Sequence, residues 1–498
     1  MAILRSRGPL LGVLLMQTVL TLGLANSAPA DEAAHLYGGH RLLDHFAGGL
    51  PLDDDYDARL AGLPYLHPLL AAWIDGAGGL AAARALGLLC TLAATWLVHA
   101  TAARLFEERA AFFAAALLGL SAPVLCAGNL ATSTAPALAL LAASLHCAVR
   151  SADRESASAA APVLAFLAIA TAYPSWLFVL PVAAAEAALA ARQLGPRRAV
   201  RRGALFLLQT AVPTACVLFL TALYDGNSVL RGIAGALARD GEESAAQVAA
   251  LAVDCTGAVL LLALVGAVLY TRGADPEHGR PTGVRALLGA ALTGGALLTP
   301  LTALWRHSAE SLETSSVFGL LLAAPAAGLL LARISHHGTR SAAAAVALLA
   351  ATAGTAGWVS QQLFTRWPDT RPVMAYLQPQ AGPAETILTG NAAVPRYYLY
   401  PAPAHTAVVS TSAAPPYRTP SGRPPTSADS WRQTVEDHRF TRIVLGGGFP
   451  DQDRRLAALL TPNGYRRTRT FPFHSTACSS VPFAFPETSG TFTVWERS

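Results

Sequence analysis

Eleven stretches of this 498-residue chain are apolar over lengths that cross, or nearly cross, about 30 Å of hydrocarbon. They lie at residues 8–26, 80–103, 110–126, 132–149, 159–173, 174–191, 203–224, 246–271, 284–304, 314–332 and 341–360. No single soluble core buries so much apolar chain. In lipid every backbone N–H and C=O must find its partner within the segment, so each stretch reads as a helix. The pair flanking Tyr173-Pro174 is short and reads as a hairpin or as one bent helix. Composition agrees: 53% of residues are hydrophobic and 13% charged, roughly half the charge of an ordinary soluble chain. A wholly soluble enzyme, a collagen-like fibre and a disordered chain are excluded. The expected fold class is mainly α: a polytopic membrane bundle of about eleven helices over residues 1–360. A small α/β domain over residues 361–498 completes it.

The sequence contains no lysine; all 36 basic residues are arginine. Lysine general-base and Schiff-base chemistry are therefore absent. Placing the N-terminus inside gives the cytoplasmic loops sixteen arginines and the outer loops five, namely Arg41, Arg59, Arg231, Arg239 and Arg306. That asymmetry is a topology signal, so the net charge of +5 does not call for nucleic acid. An odd number of spans puts the tail outside the plasma membrane. The first span resembles a secretory leader, with Arg5 and Arg7 before it and Ala28-Pro29-Ala30 after it. Ten further spans favour its retention as a membrane anchor.

The tail is richer in proline and polar residues. Ala384–Leu388, Arg396–Tyr400, Arg442–Leu445 and Thr491–Trp495 read as strands, Ser427–His438 and Gln452–Leu460 as helices, and Pro401–Pro425 as a loop. Only one of the six cysteines, Cys478, falls in the tail, so no internal disulfide is expected there. Gly446-Gly447-Gly448 lacks the continuation of a nucleotide-binding turn. His336-His337 beside Arg333 reads as an inner topology anchor.

The first outer loop, residues 27–79, is the richest in chemistry. It opens with Asp31-Glu32 directly after the first span, and its apolar spacing at Ala34, Tyr37, Leu42, Leu43 and Phe46 suggests a helix lying on the membrane surface. The acids also suit the start of that helix. Asp53, Asp54, Asp55 and Asp57 follow, then a second amphipathic segment over Tyr65–Trp73. Four carboxylates in five residues form either a solvated turn or a loose site for a divalent cation. Carboxylates at a membrane interface can take a proton from a hydroxyl or hold a cation against a phosphate. Trp305-Arg306-His307-Ser308 lies at another outer turn.

In order along the chain come Asp31-Glu32, Pro68-Leu69…Trp73, Ala83–Leu86, Ala103-Arg104-Leu105-Phe106 and Leu120-Ser121-Ala122-Pro123. Residues 30–150 thereby resemble the start of the polytopic GT-C glycosyltransferases, in the bacterial branch similar to protein-O-mannosyltransferases and the aminoarabinose lipid A transferase. The resemblance implies a polyprenyl-phosphate-linked sugar as donor, transfer with inversion, and an aspartate of the first outer loop as base. By position that aspartate is Asp31, with Glu32 in support. Arg41, Arg59, Arg84, Arg231 and Arg306, with His67 and His307, are the candidates for donor phosphate and substrate, since arginine binds phosphate bidentately. The acceptor is a hydroxyl of a glycan, lipid or protein. This chain departs from the family in carrying His67 before Pro-Leu, no acid in Ala131–Thr134, and Tyr173-Pro174-Ser175-Trp176 after the fifth span. The rival functions are a transporter or flippase of lipid-linked glycans and a non-catalytic assembly protein.

Overall fold

The computed structural model describes residues 2–52, 60, 63, 65–151, 155–224, 229–230, 232–234, 243–273, 279–336, 338–364, 367–400, 407–411, 427–446, 450–474 and 489–497. Asp53, Asp54, Asp55, Asp57, Arg59, Arg231 and Cys478 lie outside the described residues. Two compact units emerge: one built on Gly38–Gln361 with the segment up to Leu24, the other on the described residues from Gln362 onward with Ala25–Tyr37.

In chain order the helices are α1 (Ala2–Thr21), α2 (Ala30–Gly48), α3 (His67–Leu105), α4 (Glu108–Gly119), α5 (Ala122–Asn129), α6 (Thr134–Arg150), α7 (Glu155–Thr171), α8 (Val179–Leu194) and α9 (Pro196–Tyr224). Next come α10 (Ala245–Ala252), which runs through a π-turn into α11 (Ala258–Arg272), then α12 (Thr282–Trp305), α13 (Ala309–His336) and α14 (Thr339–Phe364). Each of the eleven apolar stretches is helical. Seven of these helical segments are long and apolar enough to cross a membrane, the bent pair α4–α5 adds an eighth, and three shorter apolar helices complete the set. The chain is a multi-pass membrane protein.

Two of the breaks fall at proline and one at glycine. The 58° bend between α4 and α5 precedes Pro123, which occupies the first turn of α5, where its missing N–H costs nothing. Around Tyr173-Pro174 the chain forms two helices joined by a 3-10 turn (Tyr173–Phe178) after an extended Ala172, which resolves the sequence ambiguity in favour of the hairpin. α3 is itself two helices, broken at Gly79, whose φ of 73° only glycine adopts readily.

α13 lies at the centre of the bundle, with 89% of its apolar stretch buried against 17% for α9. Small residues bring its neighbours close. A Cβ on Gly328 would stand 2.5 Å from the Ala110 carbonyl oxygen, and one on Gly266 would overlap the Ala326 carbonyl. Such backbone contact is the usual means of tight packing between helices in lipid, where tails are as apolar as side chains. At the arginine-rich end, Arg280 donates to the carbonyls of Leu105 (2.6 Å) and Arg104. Arg285 donates to those of Tyr270 (3.1 Å) and Gly273, and Arg333 to that of Leu269 (2.8 Å). The guanidiniums thus satisfy C-terminal carbonyls of α3 and α11 that the helices leave open.

The second unit carries α15 (Arg371–Leu377), β1 (Thr386–Thr389), α16 (Ala393–Tyr398), β2 (Ala407–Ser410), α17 (Ser427–Glu436), β3 (Arg442–Leu445), α18 (Pro450–Leu460), β4 (Tyr465–His474) and β5 (Ser489–Arg497). The sheet order is β2-β1-β3-β5-β4. β1 pairs in parallel with β2 and β3, while β5 runs antiparallel to β3 and β4. Alternate residues serve opposite faces. Ile387, Val444 and Val494 join Val373 and Leu377 in one core, and Leu388, Ile443 and Leu445 join Val435, Leu456 and Leu460 in the other. Arg442 ties the strand ends together, 2.5 Å from Glu385 and 3.2 Å from Glu496.

Two sequence expectations are corrected. Residues 396–400 read as a strand, yet α16 covers Ala393–Tyr398, because the Asn391 side chain accepts the Ala393 N–H (2.9 Å) and opens a helical turn. The stretch 401–425 read as loop throughout, yet Ala407–Ser410 forms β2; the remainder lies largely outside the described residues.

Candidate active site

Asp31 and Glu32 occupy the first turn of α2, where carboxylates complement the positive end of the helix dipole. Successive helical residues point about 100° apart, and the pair divides accordingly: Asp31 is exposed and Glu32 wholly buried. One turn on, His35 is buried and its Nδ1 lies 2.7 Å from the Asp31 carbonyl oxygen. Burial lowers the His35 pKa against the raising effect of that bond and of the two acids. The ring is therefore neutral near pH 7. A carbonyl only accepts, so Nδ1 carries the hydrogen and Nε2 the lone pair.

The segment bearing these groups is knit into the tail's unit. Trp367 Nε1 donates to the Ser27 carbonyl (2.7 Å), and Asn26 Nδ2 to the Trp367 carbonyl (2.9 Å). The Thr370 N–H donates to Ser27 Oγ (3.0 Å), and the Ala28 N–H to the Tyr398 hydroxyl (2.7 Å). Tyr37 meets Tyr400 edge-on at 6.5 Å and lies 5.8 Å below the Arg396 guanidinium. Next to Trp367-Pro368, burial tends to raise the Asp369 carboxyl, but hydrogen bonds from Arg371 outweigh it and hold the group below its usual range.

In the bundle's unit, a Cβ on Gly39 would overlap the carbonyl of Pro68, so α2 touches the start of α3 backbone to backbone. Beside that contact, His40 Nε2 and Asp75 Oδ2 are 2.7 Å apart with side chains 12% and 8% exposed. Arg41 is buried, donates to the Pro51 carbonyl (2.7 Å) and lies 3.9 Å from Asp44. Arg84 is buried and donates to the Leu24 carbonyl (3.1 Å). Both guanidiniums are preorganised by main chain. His67 is buried as the first residue of α3.

Arg306 and His307 close α12. The His307 N–H reaches the Leu304 carbonyl and the Ser308 N–H that of Ala303 (3.1 Å), while His307 holds a φ of 49°. This is the left-handed helix stop usually made by glycine. Its imidazole is exposed beside Trp305, which is 81% exposed.

His35 and the His40–Asp75 pair carry chemistry that the sequence did not single out; the usable signals were the i, i+4 spacing of His35 from Asp31 and the glycine at position 39. Among the described residues no three His, Cys, Asp or Glu side chains converge as a metal site. The aspartates considered for a cation, Asp53, Asp54 and Asp55, are outside them.

Neither a protein-family model nor a curated protein sequence matches the chain. Solved structures do. ArnT from Cupriavidus metallidurans in the apo state superposes with a TM-score of 0.57 at 17% identity, over 90% of this chain and 94% of that one. The archaeal oligosaccharyltransferase AglB from Archaeoglobus fulgidus, in complex with an inhibitory peptide and a dolichol-phosphate, gives 0.55 at 10% identity over 88% and 69%. The apo form of the Archaeoglobus fulgidus oligosaccharyltransferase gives 0.55 at 12% identity over 89% and 69%. Bundle, tail and chain order together give this protein the fold of the GT-C membrane glycosyltransferases.

Proposed function

We infer that the protein is a membrane glycosyltransferase that moves a sugar from a polyprenyl-phosphate donor to an acceptor hydroxyl at the outer face of the plasma membrane. The observation that carries this reading is the divided acid pair on a GT-C fold: Asp31 exposed and Glu32, the next residue, buried. Structural likeness to ArnT and to AglB, the latter solved with a dolichol-phosphate, supports a lipid-linked donor. The exposed Asp31 carboxylate takes the proton of the acceptor hydroxyl as its oxygen attacks the anomeric carbon. The bond from that carbon to the phosphate oxygen breaks, the electron pair leaves with the lipid phosphate, and the sugar's configuration inverts. Arg41, Arg84 and Arg306 meet the charge on the departing phosphate, aided by His67 and His307. Exposure lets Asp31 return its proton to water.

Asp31→Asn and Glu32→Gln, assayed with a panel of radiolabelled polyprenyl-phosphate sugars and membrane extract, test this reading. Asp31→Asn should abolish transfer while unfolding temperature and membrane insertion stay unchanged. Full activity in that variant overturns the assignment of the base.

A further inference from the structure

At the arginine-rich end of the bundle, where α3 and α13 finish and α4 and α14 begin, lies a cavity of about 680 Å³. That is within the range of small-ligand sites, and the proposed transfer chemistry makes no use of it. Its apolar wall includes Leu10 and Phe113, each 5% exposed, and Phe112, whose ring meets Phe113 edge-on at 5.4 Å. His99, Glu108 and Arg109 also line it. Glu108 and Arg109 are exposed; His99 Nε2 lies 3.7 Å from Glu108, and Arg109 is 3.1 Å from His336, which in turn reaches Glu107 (3.1 Å).

An apolar trough is poorly wetted, and at the end of a set of membrane spans the apolar material at hand is lipid. A hydrocarbon chain on Leu10, Phe112 and Phe113 leaves its head group level with Glu108 and Arg109. An anionic head would gain Arg109 but face the carboxylate of Glu108. A choline head matches the charges yet has no N–H to give. A primary ammonium donates to Glu108 while the adjoining phosphate accepts from Arg109 in a charge-assisted bond. We propose that this cavity binds a zwitterionic phospholipid with a primary ammonium head group, of the phosphatidylethanolamine type.

The test is native mass spectrometry of the full-length protein, after titration in detergent with phosphatidylethanolamine, phosphatidylcholine or phosphatidylglycerol. Phosphatidylethanolamine should be retained about tenfold better than either rival, the ratio that one charge-assisted hydrogen bond supplies. Glu108→Gln should reduce it to the phosphatidylcholine level, and Arg109→Gln should weaken all three. Both side chains are exposed, so neither change threatens the fold. Ala342→Trp, filling the trough from a half-buried position on its wall, should remove binding with thermal unfolding unchanged. Equal retention of the three lipids, a preference for phosphatidylglycerol, or indifference to Glu108→Gln would each overturn the proposal. None of these readouts depends on sugar transfer.

Discussion

Removing either half of the His40–Asp75 pair tests whether it clamps α2 onto α3. The two atoms are 2.7 Å apart and both side chains are nearly buried. Unit charges at that distance attract by about 6 kcal/mol at an effective dielectric constant of about 20, and desolvation offsets several of these. Deleting one partner strands the other without its counterpart, so His40→Ala and Asp75→Ala should each cost about 3 kcal/mol. If His40 acts as a neutral donor to a carboxylate, the figure falls to about 2 kcal/mol. The double variant strands nothing, and its cost should match a single variant rather than the sum, a coupling of about 2–3 kcal/mol. Denaturant unfolding followed by tryptophan fluorescence in detergent micelles measures all three. Proteolysis around residues 49–52 reports whether α2 has come away. Costs below about 1 kcal/mol, or strict additivity, would refute the clamp.

Three further outcomes follow from geometry. His35 has a folded-state pKa below its ordinary 6.5, so the unfolded chain binds a proton that the folded chain refuses. Stability should be full above pH 6.5 and fall by up to about 1.4 kcal/mol per unit below it; His35→Phe should flatten that slope, and an unchanged slope would exonerate the residue. His307→Gly relieves a left-handed conformation costing about 1–2 kcal/mol, less about 0.5–1 for glycine's freer unfolded chain. Stability should rise slightly while transfer falls; unchanged transfer removes His307 from the substrate-binding set. Arg442→Met leaves Glu385 and Glu496 together, partly exposed, and should lower the tail unit's stability by about 1–3 kcal/mol, with Glu385→Gln restoring part of it in the same unfolding assay.

The bundle was legible because lipid turns each long apolar stretch into a helix, and Pro174 marked the junction of α7 and α8. The break before Pro123 was not legible, because Pro162, Pro213, Pro300 and Pro325 lie inside continuous helices and proline alone does not separate a break from a span. In the tail, β1, β3 and β5 declared themselves by apolar β-branched residues. β4 did not: its run Tyr465–His474 carries three arginines and Pro472. Those residues suit a strand at the sheet edge, where one side of the backbone goes unpaired, and only the strand order reveals that position. Asp31 and Glu32 were legible as an acid pair, but not their division between surface and interior, which depends on what packs against the first turn of α2. His40 and Asp75 are 35 residues apart in sequence and meet only because Gly39 lets two backbones touch.

The bond between Ser27 and Trp367 spans 340 residues of chain. During synthesis Ser27 leaves the ribosome early, and its partners follow only after the helical bundle has been made. Until then the turn with the acid pair lacks the main-chain anchors that Trp367 and Thr370 provide. A product halted before residue 367 would insert normally yet present those acids on an untethered strap. Emergence of the chain through Thr370 is thereby the step that fixes this turn in place.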